Sequence, residues 1–234
     1  MRHTSKRILS CILAVGLLAV TLLPGGVAKG RLEAILHESY LPPSGQQQVQ
    51  QLFSSAEDSQ VPTDILLLRL QEGISKRIPS PSLELALRAE KESFELARSL
   101  IYKVLDGDEA SSVVAEPANW ARIATLYRQG IHEDYITALI LMFSQQKSRE
   151  KWTNLRYGGG LLLALDRWEL NRGLALDVVE ALAESSIPGS DYLLVMDLFS
   201  RALSLRITVE EMAQRIIFAA PDCRSITAME RLVL

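Results

Sequence analysis

The side chain with the clearest catalytic potential is Glu184, which follows an aliphatic, alanine-rich segment. The residues from 181 to 187 read Ala-Leu-Ala-Glu-Ser-Ser-Ile. A glutamic acid held in apolar surroundings has a raised pKa, and it can then give its proton to a glycosidic oxygen. This chemistry makes Glu184 the one candidate for a general acid.

The Glu184-Ser185 pair resembles the helix end that carries the acid in lysozyme-like lytic transglycosylases. The resemblance covers about seven residues and implies a peptidoglycan-cleaving enzyme with Glu184 as its acid. The later Gly-Leu-Met-Gln segment of that family and its aromatic substrate wall are absent, because Pro-Gly-Ser-Asp follows at 188–191. A Glu-Ser pair before a proline is also common at the C-terminus of a helix. Catalysis is therefore the alternative hypothesis, and the leading one assigns no catalytic residue.

Metal and phosphate motifs are incomplete. The acidic run at 106–109 lacks the third alternating ligand and the distal glutamate of a calcium loop. His37 and His132 have no partner at the spacing of metal ligands. The three glycines at 158–160 have neither the preceding strand nor the following Lys-Ser or Lys-Thr of a phosphate loop, so they predict a hinge between helices. We expect no metal and no cofactor.

One basic and aromatic cluster is a candidate binding surface. Its four cations and two aromatic rings lie within eleven residues and are opposed by Glu150 alone, so an anionic polymer or a lipid headgroup could dock there. The alternative is a solvated helix face whose long side chains cover apolar neighbours. The cluster consists of Lys147, Arg149, Lys151, Trp152, Arg156 and Tyr157.

The N-terminus predicts an export signal over residues 1–28. Arg2, Lys6 and Arg7 precede an uncharged run at 8–23, and small residues at Gly26 and Ala28 suit a signal peptidase that cleaves after Ala28. The run is shorter than the roughly 20 residues that a membrane-spanning helix needs. We expect a periplasmic or secreted protein; the alternative is an inner-membrane anchor formed by residues 8–23.

The charge balance narrows the range of partners. The signal holds three basic residues and no acidic one, so the mature chain carries 22 basic and 28 acidic side chains. This acidic balance argues against binding to nucleic acid or broadly to anionic lipid. Cys223 is the only mature cysteine, which excludes an intramolecular disulfide and is typical of a buried small side chain.

The elements that position these residues are predicted to be helices throughout. The clearest begins at Ser80-Pro81, where apolar residues recur at three, four and seven positions, and it ends before Asp106. The chain is expected to divide into a polar arm with weak helix at 29–60, a first helical hairpin at 61–106 and a linker at 107–119. Further hairpins at 120–234 share a core with the first one.

Four turns of similar sequence predict tandem antiparallel hairpins. In each, a basic residue or glycine precedes an aliphatic one, and a second aliphatic follows five positions later. Apolar residues four and eleven positions before the first aliphatic continue the pattern, whereas the position eight before it is Asp166 in one turn. The spacing between the turns varies, so either an irregular helical repeat or a bundle is expected. The turns are Arg77-Ile78, Gly130-Ile131, Gly173-Leu174 and Arg206-Ile207.

These features together favour a non-catalytic scaffold or adaptor of the bacterial cell envelope. Helical hairpins offer extended surfaces for binding, and the most plausible partner is another envelope protein. The alternatives are the glycan-cleaving enzyme with Glu184 and a membrane-anchored structural protein.

Cleavage of the signal can be tested by the intact mass and N-terminal sequence of the exported chain. We expect the mature protein to begin at Lys29, because Gly26 and Ala28 fit the two specificity pockets of the peptidase. A chain that keeps residues 8–23 and sediments with the membrane would establish the anchored form instead.

Overall fold

In a computed structural model, residues 26–148 and 150–234 are described, with side chains from residue 29 onward. The predicted signal lies outside this part apart from Gly26 to Ala28, which begin the first helix, and Arg149 lies outside it as well. The fold is all-α: the described residues are 80% helical and contain no strand. The helices are α1 (Gly26–His37), α2 (Pro43–Asp58), α3 (Thr63–Ser75), α4 (Ser80–Val104), α5 (Gly107–Ala115), α6 (Pro117–Arg128), α7 (Glu133–Ser144), α8 (Lys151–Asp166), α9 (Arg172–Glu184), α10 (Val195–Ser204), α11 (Val209–Ala219) and α12 (Ile226–Val233).

Two short 3₁₀ segments, Gly189–Leu194 and Ala220–Asp222, connect the C-terminal helices. Within the described ranges, no helix has both the length and the apolar character needed to cross a bilayer.

Helix α4 confirms the predicted element at Ser80 and is the longest helix. Its apolar stripe is buried from Leu83 to Ile101, and Phe94 meets the ring of Trp120 edge to face with centroids 5.3 Å apart. The indole N–H of Trp120 donates to the Phe94 carbonyl at 2.8 Å. This contact fixes α6 against the middle of α4.

Five chain reversals share one backbone geometry. In each, a residue with positive φ follows a helix, and the next residue is aliphatic. The N–H of that aliphatic residue donates to the carbonyl five positions back, as Val61 does to Ala56 at 2.8 Å. This is the Schellman arrangement, which satisfies carbonyls that the helix end would leave without donors. The five pairs are Gln60-Val61, Arg77-Ile78, Gly130-Ile131, Glu169-Leu170 and Arg206-Ile207.

The third turn of the sequence pattern was placed four residues too late. The left-handed residue is Glu169 rather than Gly173, and Gly173 lies inside the first turn of α9. Counted from Leu170, the position eight residues back is the buried Leu162, so the apparent exception at Asp166 disappears. A shift of four residues stays on nearly the same helix face, which is why the wrong register still matched.

The arm predicted at 29–60 is a packed part of the fold. Helix α2 buries Val49, Leu52, Phe53 and Ala56, whose spacing of three, four and seven forms one apolar stripe. The surrounding glutamines and serines lower the average hydropathy and hide that stripe. The description of this region as a polar arm is therefore wrong.

The linker predicted at 107–119 is also wrong. Residues 107–115 form α5, which buries Ala110 and Val113, and only Glu116 separates it from α6. Pro117 starts α6, a position where the missing N–H of proline costs nothing.

The predicted hinge at Gly158–Gly160 is the middle of α8. A side chain on Gly158 would approach Phe143 and Val179 to 3.0 Å, and one on Gly159 would lie 2.5 Å from Leu126. These glycines let α8 lie close to its neighbours, so their function is packing rather than bending. The preceding helix, α7, ends at Ser144, and α8 begins at Lys151.

The helices pack in two lines around one core. One line runs from α2 through α4 and α6 to α8 and the first 3₁₀ segment; the other runs from α7 through α9 and α11 to α12. Helix α8 contacts both α7 and α9 and so joins the two lines. Buried apolar residues from Leu32 to Val233 form a single continuous cluster.

Adjacent leucines of α3 provide a matched test of this packing. Leu67 is 0% exposed and Leu68 is 61% exposed. We expect Leu67→Asp to lower the free energy of unfolding by roughly 3 kcal/mol or more, because it buries an unpaired carboxylate. Leu68→Asp should change it by less than about 0.5 kcal/mol. Urea denaturation followed by circular dichroism measures both, and equal losses would contradict the burial assigned to this helix.

Candidate functional site

An apolar groove with a charged rim lies between α3 and α4, close to the C-terminal end of α6. Its volume is about 440 Å³. The floor is formed by Gly73, Ile78, Leu83, Ala86, Leu87 and Ala89. The rim consists of Arg69, Glu72, Lys76, Glu90 and Arg128.

The α3–α4 reversal creates the floor of this groove. Gly73 lies so close to Leu83 that a Cβ on the glycine would be 2.3 Å from the leucine Cδ1, so the two helices meet tightly near their turn. Ile78, the aliphatic residue of the turn, is half-buried. Ala86 and Ala89 face outward with only a methyl group each, and the apolar floor therefore stays open.

Glu90 is the electrostatic centre of the groove. It is 5% exposed and is one of few buried polar residues in the described chain. The Arg69 Nε lies 3.4 Å from its carboxylate, and the Arg128 guanidinium donates to the same oxygen. A buried carboxylate is tolerated when cations neutralise it in this way. Glu90 thus links α3, α4 and α6 through charge.

The outer rim carries a second shared carboxylate. Lys76 donates to Glu72 at 2.6 Å and Arg69 donates to it at 3.0 Å. These two cations hold the pKa of the Glu72 carboxyl below its usual value, the hydrogen bond from Lys76 being the larger influence. Glu72 is therefore ionised at neutral pH and fixes the positions of both cations.

Arg128 reaches the groove from the end of α6. Its guanidinium also donates to the Thr125 hydroxyl at 2.6 Å, and its side chain is 23% exposed. The buried Nε–H finds no acceptor among the described residues. Arg128 therefore retains hydrogen-bonding capacity that the folded chain does not use.

No pattern in the sequence singled out these groove residues. The signal that could have found them is on α4, where Ala86 and Ala89 interrupt the solvated face with small apolar side chains next to the exposed Leu85. The turn at Arg77-Ile78 was recognised, but one turn does not reveal the groove that it closes.

The predicted basic and aromatic cluster does not form one surface. Trp152 is buried, and Lys151 is held inward by Glu109 at 2.8 Å and by the Ser144 carbonyl at 2.9 Å. The Lys151 ammonium lies 5.2 Å from the centre of the Trp152 ring. Lys151 therefore attaches α8 to α5 and α7, and its burial leaves Trp152 unable to stack on a ligand. Lys147 and Arg156 are exposed, and Tyr157 is half-buried.

A polar cavity of about 380 Å³ lies between the α7–α8 and α9–α10 connections. Lys147, Ser148 and Asn154 line one side, and residues 185–189 line the other. The Gln146 amide donates to the Ala183 carbonyl at 2.7 Å and ties the α7–α8 connection to the last turn of α9. The segments that the sequence singled out around Lys147 and around Glu184 thus meet in space.

Glu184 itself contributes nothing to the lining of that cavity. It is the last residue of α9 and is exposed. A general acid with a raised pKa needs apolar surroundings, and the position of Glu184 does not provide them. Among the described residues, no group of three or more histidine, cysteine, aspartate and glutamate side chains is arranged to hold a metal ion.

Cys223 is buried, and burial together with the nearby Asp222 carboxylate raises the pKa of its thiol. A raised thiol pKa lowers the thiolate fraction, so Cys223 is a packing residue rather than a reactive one.

Comparison with known proteins gives no match to a family model, to a curated protein or to a solved structure.

The contribution of Glu90 can be measured against its neighbour Glu92, which is exposed. We expect Glu90→Gln to lower the free energy of unfolding by about 1–2 kcal/mol, because it removes a charge shared by two arginines, one of them well solvated. Glu92→Gln should have an effect below about 0.5 kcal/mol. Equal effects in urea denaturation would show that Glu90 is not the electrostatic centre of the groove.

Proposed function

We propose that this chain is an exported, non-catalytic helical scaffold of the bacterial cell envelope, which binds another protein through the α3–α4 groove. The observation that carries the proposal is the apolar floor of the groove and its rim of ordered charges. Binding sites for proteins combine an apolar centre with a polar rim in this way.

The arrangement of the helices supports a scaffold. Three of the predicted hairpin turns lie at reversals of the Schellman type, and α4, α6 and α8 follow one another in one line of packing. We infer that the helices form an irregular series of antiparallel hairpins, a design in which side chains rather than loops make the binding surface.

Export rests on the sequence alone. The basic start, the apolar run at 8–23 and the small residues before Lys29 supply the signal. The partner is then an envelope protein, and the membrane would be involved directly only if residues 8–23 stay attached.

Photocrosslinking in the native cell tests the groove as the binding site. A photoreactive amino acid at Ala89 lies at the groove, whereas the same amino acid at Ala228 lies on an exposed face of α12. We expect Ala89 to give one discrete protein adduct in every preparation and Ala228 to give none. Filling the groove by Ala86→Trp should abolish the adduct, because the side chain occupies the floor.

Two outcomes would contradict the proposal. One is the same adducts at both positions, which would indicate collision rather than binding. The other is the absence of any adduct at Ala89 while circular dichroism shows that the variant is folded.

A further inference from the structure

The two faces of α4 that border cavities carry opposite charge. The groove shared with α3 is lined by Arg69, Lys76 and Arg128 against Glu72 and Glu90, an excess of one cation. The polar cavity shared with α2 has three carboxylates among its lining residues and only two cations. The groove is thus locally positive on a chain whose net charge is −3.

The groove contains three cations but only two carboxylates to pair with them. Arg69 contacts both Glu72 and Glu90, Lys76 contacts Glu72, and Arg128 contacts Glu90. Each carboxylate therefore serves two cations, and a third carboxylate brought by a partner would equalise the numbers. The position of these cations beside the apolar floor favours a partner whose acidic groups lie beside its apolar ones.

The walls of the groove select the backbone conformation of the occupant. Helices α3 and α4 satisfy their own interior N–H and carbonyl groups, so they offer no edge to which an extended peptide could pair. An extended peptide over the apolar floor would lose water from backbone groups without gaining partners. A helix satisfies its own backbone and presents only side chains, which makes it the better occupant.

The size of the floor sets the length of the contact. From Leu83 to Ala89 the floor runs along about 9 Å of α4, which corresponds to about two turns of a docked helix. The methyl groups of Ala86 and Ala89 let such a helix come close, so aliphatic side chains at positions i, i+3 or i+4 and i+7 can reach the floor.

We propose that the groove binds an acidic amphipathic helix, whose aliphatic face lies on the floor and whose carboxylates meet Arg69, Lys76 and Arg128. This inference rests on the proposed function, because it specifies the chemistry of the partner segment at the same site.

Two synthetic peptides of about 16 residues test the charge preference. They share one face of leucine and alanine and differ only in a polar face of glutamate or of lysine. Fluorescence anisotropy with the full mature chain measures their affinities. We expect the glutamate peptide to bind about tenfold more tightly at low salt, and this advantage to shrink as salt screens the charges.

A matched pair of variants locates the effect. Lys76 and Arg88 are 63% and 58% exposed, and each pairs with a glutamate four residues away, but only Lys76 lines the groove. We expect Lys76→Glu to reduce the advantage of the glutamate peptide at least about threefold, and Arg88→Glu to leave it within about twofold.

The outcomes separate this inference from the proposed function. Equal or tighter binding of the lysine peptide would overturn the inference. Binding of neither peptide, together with a specific adduct at Ala89, would overturn the acidic helix and leave the scaffold standing. Selective binding of the glutamate peptide without any adduct in cells would support the preference of the groove for an acidic helix and contradict the proposed function.

Discussion

The fold depends on a reversal that turns five of the described helix ends back toward the core. A single residue in the left-handed region ends the helix, and the aliphatic residue after it enters the apolar interior while its N–H closes a bond to the carbonyl five positions back. Four of the five left-handed residues are not glycine, although this conformation costs a side-chain-bearing residue roughly 1 kcal/mol. Burial of the aliphatic side chain and two backbone hydrogen bonds offset that cost.

This geometry explains which parts of the fold the sequence predicts. The aliphatic residue and its neighbours at fixed offsets must be apolar, so three turns, the all-α class and the 80–104 helix follow from periodicity. The left-handed residue can be Gln60, Arg77, Glu169 or Arg206, so its identity is a poor signal. The sequence pattern did not predict the turn at Gln60-Val61, which has no basic residue or glycine. It placed the turn at Glu169-Leu170 four residues too late.

The remaining errors arise where composition hides burial. Helix α5 is built from small and acidic residues and buries only Ala110 and Val113, so its average composition is that of a loop. A run of glycines such as 158–160 usually breaks a helix, but neighbouring side chains take the space left by the missing Cβ atoms of Gly158 and Gly159. The predicted basic and aromatic cluster does not form one surface for a related reason. A cluster of charges along the chain does not reveal that Lys151 and Trp152 face inward. The spacing of residues along the chain does not show which of them lie on the same surface of the folded protein.

The groove between α3 and α4 depends on both the helix reversal at Arg77-Ile78 and the close packing of α3 against α4. Its floor includes Ile78 of the turn and Leu83, which packs closely against Gly73 of α3. The floor therefore belongs to the same packing that closes the hairpin. A change at Ile78 or Leu83 therefore disturbs the fold, whereas Ala86 and Ala89 are exposed. The outer rim is different, because the ion pairs of Glu72 with Arg69 and Lys76 are solvated and contribute little to stability. In the proposed function, selectivity for a partner would thus change through the outer rim while the apolar floor is retained.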